Sequence, residues 1–225
     1  MHQVTLQPSG HRFAVPPGKS ILEAGLDAGF ALPYSCRAAV CSTCRALIKA
    51  GQVDHGVVFG TLSSEDKARG FALLCRAKPL SDVVVEAREL QGLDGIRPRV
   101  LPCRVVSIDR PVSDVALLRV RVPNAEGMRF LAGQYVDFLL ENGARRSFSI
   151  ATKPSGEHVT EFEFHVRRVP GGSFTSRVFE TLKPRELLRL EAPLGTFYLR
   201  QDSSKPIIML ASGTGFAPIK AMCET

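Results

Sequence analysis

The sequence predicts a multidomain chain: a small α+β domain, then an antiparallel β-barrel or sandwich, then the opening of an α/β domain. Three observations carry this. The 225 residues exceed what one compact domain usually needs. ELQGLDGIRPRVL (89–101) has two Gly, one Pro and no apolar period, so it reads as a linker. Near the end, PIIMLASGTGFAPIKAMCET switches to an apolar run, a glycine-rich turn and a helix start.

The elements follow in order. HQVTL, a PSG turn and HRFAV form a hairpin closed by Pro16, Pro17 and Gly18. In SILEAGLDAGF, Ser20 and Glu23 make a capping box ahead of Ile21, Leu22, Leu26 and Phe30, which predicts an amphipathic helix. RALIKAG is strand-like, SSEDKARG a short capped helix and DVVVEA a last strand, ending this part near Arg88. Behind the linker, CRVVSID, VALLRVRV, QYVDFLL, RSFSIA and EFEFHVRRV are strands at short, regular spacing. A helix starts near Ser173 and runs through RVFETL. PIIMLA reads as a continuous buried strand.

Composition excludes several classes. With 44% apolar and 23% charged residues the chain is globular rather than disordered. No apolar run reaches the ~18–20 residues of a membrane span. MHQVTLQPSG lacks the features of a signal peptide, so the cytoplasm is the expected compartment. The +7 charge divides as 10 basic against 8 acidic residues in 1–90 and 19 against 14 in 91–225. That spread excess, with no basic run, argues against nucleic-acid binding.

Six cysteines in a cytoplasmic chain read as ligands or free thiols rather than disulfides. Cys36, Cys41 and Cys44 follow C-x4-C-x2-C, and Cys75 stands thirty residues on. This is the plant-type [2Fe–2S] spacing. Small neighbours (Ala38, Ala39, Ser42, Thr43) let backbone N–H groups approach sulfur, which helps set potential. A zinc site favours two close pairs, and Cys75 has no near partner in sequence. A thioredoxin-like C-x-x-C leaves Cys36 and Cys75 unexplained. Cys103 and Cys223 fall outside the pattern.

LPYSCRAAVCSTC with LLCRAKPLSDVVVEA resembles the ferredoxin domain of the NAD(P)H-dependent ferredoxin/FAD oxidoreductases that serve as oxygenase reductase components. SDVVVEAREL, PCRVVSIDRP and GQYVDFLL resemble, within that family, the CDP-6-deoxy-Δ3,4-glucoseen reductase-like branch, with phenol hydroxylase and methane monooxygenase reductases as runners-up. One departure is Ala39, where the family loop carries Gly. The resemblance implies a β-grasp [2Fe–2S] ferredoxin domain (1–90), a linker (91–100), an antiparallel β-barrel FAD-binding domain (101–202) and the truncated start of an NAD(P)-binding α/β domain (203–225).

It also implies site residues. Arg146, Ser147, Phe148 and Ser149 resemble the Arg-x-Tyr-Ser flavin motif. There the arginine pairs with the diphosphate, the ring stacks by the isoalloxazine and Ser149, the candidate catalytic group, sits near flavin N5. Phe148 replaces the usual Tyr, keeping the ring and losing a hydroxyl. Gly171, Gly172, Ser173 and Thr175 resemble the second flavin motif, at a helix N-terminus. His165 and Arg167 resemble the flavin-edge strand, although they suit an exposed strand face equally well. Gln134 and Tyr135 match a structural strand. Gly213, Thr214, Gly215 and Pro218 resemble the pyridine-nucleotide phosphate turn, without the full G-x-G-x-x-G pattern.

The function implied is electron transfer from NAD(P)H through FAD to the cluster. The acceptor implied is a partner such as a terminal iron-containing oxygenase or an iron–sulfur dehydratase. A cluster-and-flavin carrier without its own NAD(P)H oxidation remains the alternative, and a zinc-binding interaction module a third.

Overall fold

The computed structural model describes residues 1–90, 93, 96–201 and 203–225. Residues 91, 92, 94 and 95 of the expected linker, and residue 202 at the expected end of the FAD domain, lie outside the described residues. The chain divides into two compact units, residues 1–94 and 95–225.

The first unit runs β1 (His2–Gln7), β2 (Arg12–Val15), α1 (Ile21–Asp27), β3 (Arg45–Ala50), β4 (Val53–Asp54), α2 (Ser64–Ala68), β5 (Phe71–Leu73), β6 (Lys78–Pro79) and β7 (Val83–Glu86). Its main sheet has the order β2-β1-β7-β3-β5, with β1 and β7 parallel, the β-grasp arrangement. The expected capping box forms: the Glu23 N–H donates to Ser20 Oγ, and the Ser20 N–H to the Glu23 carboxylate at 2.9 Å. So fixed, α1 turns Ile21, Leu22 and Ala24 onto a core that contains Val4, Leu6, Leu32, Leu73 and Val85. A second capping box, Ser63 with Asp66, starts α2.

The second unit runs β8 (Arg99–Val112), β9 (Val115–Arg121), β10 (Tyr135–Leu139), β11 (Arg145–Ser149), β12 (Glu161–Arg167), α3 (Ser173–Glu180), β13 (Leu187–Leu194) and α4 (Phe216–Cys223). Its antiparallel sheet has the order β11-β10-β13-β8-β9-β12. The edge strands meet where Ile150 bridges Phe164 and the Ala151 N–H donates to the Glu163 carbonyl at 2.8 Å. Inside lie Phe130, Phe138, Phe162, Phe164 and Phe174, all essentially inaccessible. Each such burial contributes roughly 1.5–3 kcal/mol.

The strand reading fails in three places. The second unit's sheet already starts at Arg99, inside the stretch read as linker. β13 was not among the expected strands, although Leu188, Leu190 and Ala192 alternate inward. PIIMLA forms no strand, and Ile208 and Leu210 are 95% and 91% exposed. An all-apolar strand needs pairing and cover on both faces; no strand among the described residues pairs with this one. No helix among the described residues is long and apolar enough to cross a membrane.

Candidate functional site

The cysteine loop joins α1 to β3, and its shape comes from left-handed backbone at Arg37, Ala39 and Ser42 (φ 53°, 60° and 58°). This alternation turns N–H groups inward. Cys36 N–H donates to Cys41 Sγ, and Ala38 and Val40 N–H both donate to Cys36 Sγ, each at 3.4 Å. Two tethers hold the loop from outside: the Thr61 hydroxyl donates to the Ala39 carbonyl at 2.6 Å, and the Ser42 hydroxyl to the Thr61 carbonyl at 3.2 Å. A third links the distant cysteine, since the Leu74 N–H donates to the Cys44 carbonyl at 3.0 Å. Thr61 had no local sequence signal; only the fold brings it to the loop.

The four sulfurs fall into two pairs. Cys36 and Cys41 share hydrogen bonds, and buried Cys44 and Cys75 hydrogen-bond each other. The Cys44 thiol donating to Cys75, with help from the Ala39 N–H and the Arg76 charge, pulls Cys75 down to about 6 despite burial. The same bond, with burial, drives Cys44 up. At Cys41, burial pushes upward but is outweighed by hydrogen bonds from Thr43 and the Cys36 N–H, so the net shift is down. Among the described residues no three His, Cys, Asp or Glu side chains form a set for one metal ion. Two thiol pairs with N–H groups aimed at sulfur suit a two-iron cluster held by four thiolates.

The flavin motif lies on β11 opposite β10, with Phe138↔Arg146, Val136↔Phe148 and Tyr135↔Ser149 in register. Strand alternation splits the motif. Arg146 and Phe148 share one face; Ser147 and Ser149 share the other. Arg146 is exposed, and its guanidinium donates to the neighbouring Arg145 carbonyl at 2.8 Å. The half-buried Phe148 ring lies 5.9 Å from Phe138 and 5.4 Å from Phe174, against the first turn of α3. Ser147 donates to the buried Asp137 at 2.5 Å. Gln134 is structural, accepting from Leu131 N–H and donating to the Gly195 carbonyl.

Gly172 caps α3 without a side-chain hydrogen bond, which leaves first-turn N–H groups to face a ligand anion. A Cβ at Gly172 would sit 2.5 Å from Thr175 Oγ1, and Gly171 has φ +73°. A side chain would therefore collide with Thr175 at Gly172 and sit in strained backbone at Gly171. Thr175 is buried and holds the loop, accepting from the Val169 N–H at 3.2 Å. These features fit a diphosphate beside Arg146 on the Phe148–Phe174 side.

His165 stacks on Phe216 at 6.4 Å, and its Nε2 is 3.3 Å from Glu163. Arg167 pairs with Asp114 at the exposed strand end. Gly213–Gly215 form a 3-10 turn leading into α4, where Pro218 is buried. Glu163 was not singled out from sequence. Burial raises its carboxyl, but Arg119, Lys220 and His165 more than offset this and hold it below the usual range.

The two units thus define a class, a flavoprotein with an iron–sulfur domain. Residues 4–80 match the 2Fe-2S iron-sulfur cluster binding domain, and residues 102–198 the oxidoreductase FAD-binding domain. The chain is 41% identical over 222 residues to the CDP-6-deoxy-L-threo-D-glycero-4-hexulose-3-dehydrase reductase of Yersinia pseudotuberculosis, covering 98% of this chain and 66% of that one. It is 36% identical over 226 residues to the terephthalate 1,2-dioxygenase reductase component 1 of a Comamonas species, covering 99% and 65%. The crystal structure of the Amycolatopsis cytochrome P450 reductase GcoB superposes with a TM-score of 0.82 at 33% identity, covering 100% of this chain and 67% of that one. The chain belongs to the ferredoxin/FAD oxidoreductase family of reductase components. It spans about two thirds of the length of the curated relatives it matches.

Proposed function

We propose that this chain is the cluster-and-flavin portion of a cytoplasmic reductase that passes electrons from NAD(P)H to a protein acceptor. An oxygenase or a dehydratase is the acceptor class that the relatives' names suggest. The observation that carries the reading is the paired arrangement of four cysteine sulfurs under inward N–H groups. When bound, FAD accepts hydride from a pyridine nucleotide and the [2Fe–2S] cluster relays single electrons.

The chain's own residues do the positioning. Cys36, Cys41, Cys44 and Cys75 hold the irons, and the loop N–H groups stabilise charge on sulfur. Arg146, Gly171, Gly172 and the first turn of α3 would hold the FAD diphosphate, and the Phe148 edge would border the ring system. Ser149, on the strand face opposite Phe148, would supply a hydroxyl to the flavin, and Gly213, Thr214 and Gly215 would meet nucleotide phosphate. We assign residues 203–225 to the start of the nucleotide domain. Iron, acid-labile sulfide and flavin analysis of the purified chain tests the reading; zinc with no visible absorbance would refute it.

A further inference from the structure

Resting on that reading, one surface of the first unit is left unused by cofactor binding. Val40, Val57 and Phe59 are 56%, 68% and 64% exposed, although they lie in a unit with a closed apolar core. They are not scattered. Val40 sits between Ala39 and Cys41 in the cysteine loop, and Thr61, two residues beyond Phe59, is tied to that loop through Ala39 and Ser42. At the other end Gly56 packs on Arg76, the neighbour of Cys75: a Cβ there would lie 3.4 Å from the Arg76 carbonyl. The 56–61 segment therefore spans from one cysteine pair to the other along the outside of the site.

Charge at its Gly56 end is lopsided. Arg76 acts on Cys75, and Lys67 acts on His55. Neither has a carboxylate partner among the described residues. Asp54, which accepts the Gly56 N–H at 2.9 Å, also acts on His55 and offsets one of the two cations. A partner covering the apolar residues would bring its own carboxylates to these two cations.

We propose that Val40, Val57 and Phe59, flanked by Arg76 and Lys67, form the docking face for the electron-acceptor protein, whose contact surface is apolar at its centre and acidic on one side. An electron acceptor seated here would use both the patch's apolar exposure and its position on the cysteine loop. Phe59 is the anchor, since large aromatic side chains dominate such interfaces.

The test photoreduces the holo chain and mixes it with cytochrome b5, an acidic haem protein, as the acceptor probe, with ferricyanide as a small control. Phe59→Ser should slow cytochrome b5 reduction by about fivefold or more, the scale of an interface anchor. Ferricyanide reduction, iron content and flavin-to-cluster transfer should stay unchanged. The wild-type rate should fall with added salt, and Lys67→Glu should flatten that dependence. Unchanged cytochrome b5 rates in Phe59→Ser overturn the proposal. So does slowed flavin-to-cluster transfer, which would assign the patch to this chain's own flavin unit, or a dimer dissolved by the substitution, which would assign it to a second copy. A wild-type chain without iron would fail the functional reading itself, a separate result.

Discussion

The Thr61 hydroxyl donates to the carbonyl of Ala39 across 2.6 Å, pinning a residue whose φ is +60°. Left-handed backbone costs a non-glycine residue roughly 1–2 kcal/mol. The Ala39 methyl is buried, which returns about 0.8 kcal/mol. The two nearly cancel, so alanine is tolerated where the family carries glycine. Ala39→Gly should change thermal stability of the holo chain by less than about 1 kcal/mol and leave iron content intact; a loss of iron would show that the methyl shapes the site.

The cluster ligands are separable from the other thiols. Cys41→Ser should abolish the visible iron–sulfur bands while FAD stays bound, because the cysteines and the flavin motif belong to different compact units. Cys103 is buried in the second unit, where burial pushes its thiol up to about 12. Cys103→Ser should leave iron unchanged. Metal analysis of both variants checks this, and joint loss of iron and flavin in Cys41→Ser would contradict it.

Arg146 is exposed and, among the described residues, its side chain bonds the neighbouring Arg145 carbonyl, so removing it should spare the fold. Arg146→Ala should weaken FAD binding by roughly 1.5–3 kcal/mol, the range for a hydrogen bond to a charged group. Thermal unfolding of the flavin-free form should not move. Fluorescence titration with FAD is the measurement; unchanged affinity would leave the arginine an ordinary surface charge.

Glu163 links β12 to α4, 3.6 Å from Lys220 and 2.8 Å from Arg119. Its carboxyl is depressed below the ordinary 4.5, so its stabilisation is present in full above that pH. It is lost as pH falls through the lower folded value. Glu163→Gln should therefore cost about 1–3 kcal/mol at pH 7 and reduce the acid-side slope of stability. Urea unfolding across pH 3–7 checks both; a parallel slope in the variant would reject the assignment.

The [2Fe–2S] domain was legible because three of its cysteines lie in one short loop at the C-x4-C-x2-C spacing. The same holds for Ser20 and Glu23, whose capping box is local. β13 was harder: its inward Leu188 and Leu190 alternate with exposed Leu187 and Arg189, and the exposed leucine blurs the period. Thr61 acts through partners 19 and 22 residues away, and Glu163 through Arg119 and Lys220 on other elements, which no local pattern records. PIIMLA was read from composition alone, whereas a buried strand is defined by its neighbours.

Because that run is exposed and no strand among the described residues leads into the proposed phosphate turn, these 225 residues should not position a nucleotide for the close approach that hydride transfer requires. The 225-residue chain should be reduced only slowly by NADH or NADPH in stopped flow, while dithionite reduces it fully. Rapid flavin bleaching by either nucleotide would show that no further segment is needed.

The central claim, that one chain holds both a flavin and a two-iron cluster, is tested most directly by anaerobic dithionite titration of the purified holo chain followed in the visible. Uptake of about three electrons per chain, two at FAD and one at the cluster, with both sets of bands bleaching, is the predicted result. Uptake of about two electrons without iron–sulfur bands, in a chain bearing zinc on its cysteines, would contradict it.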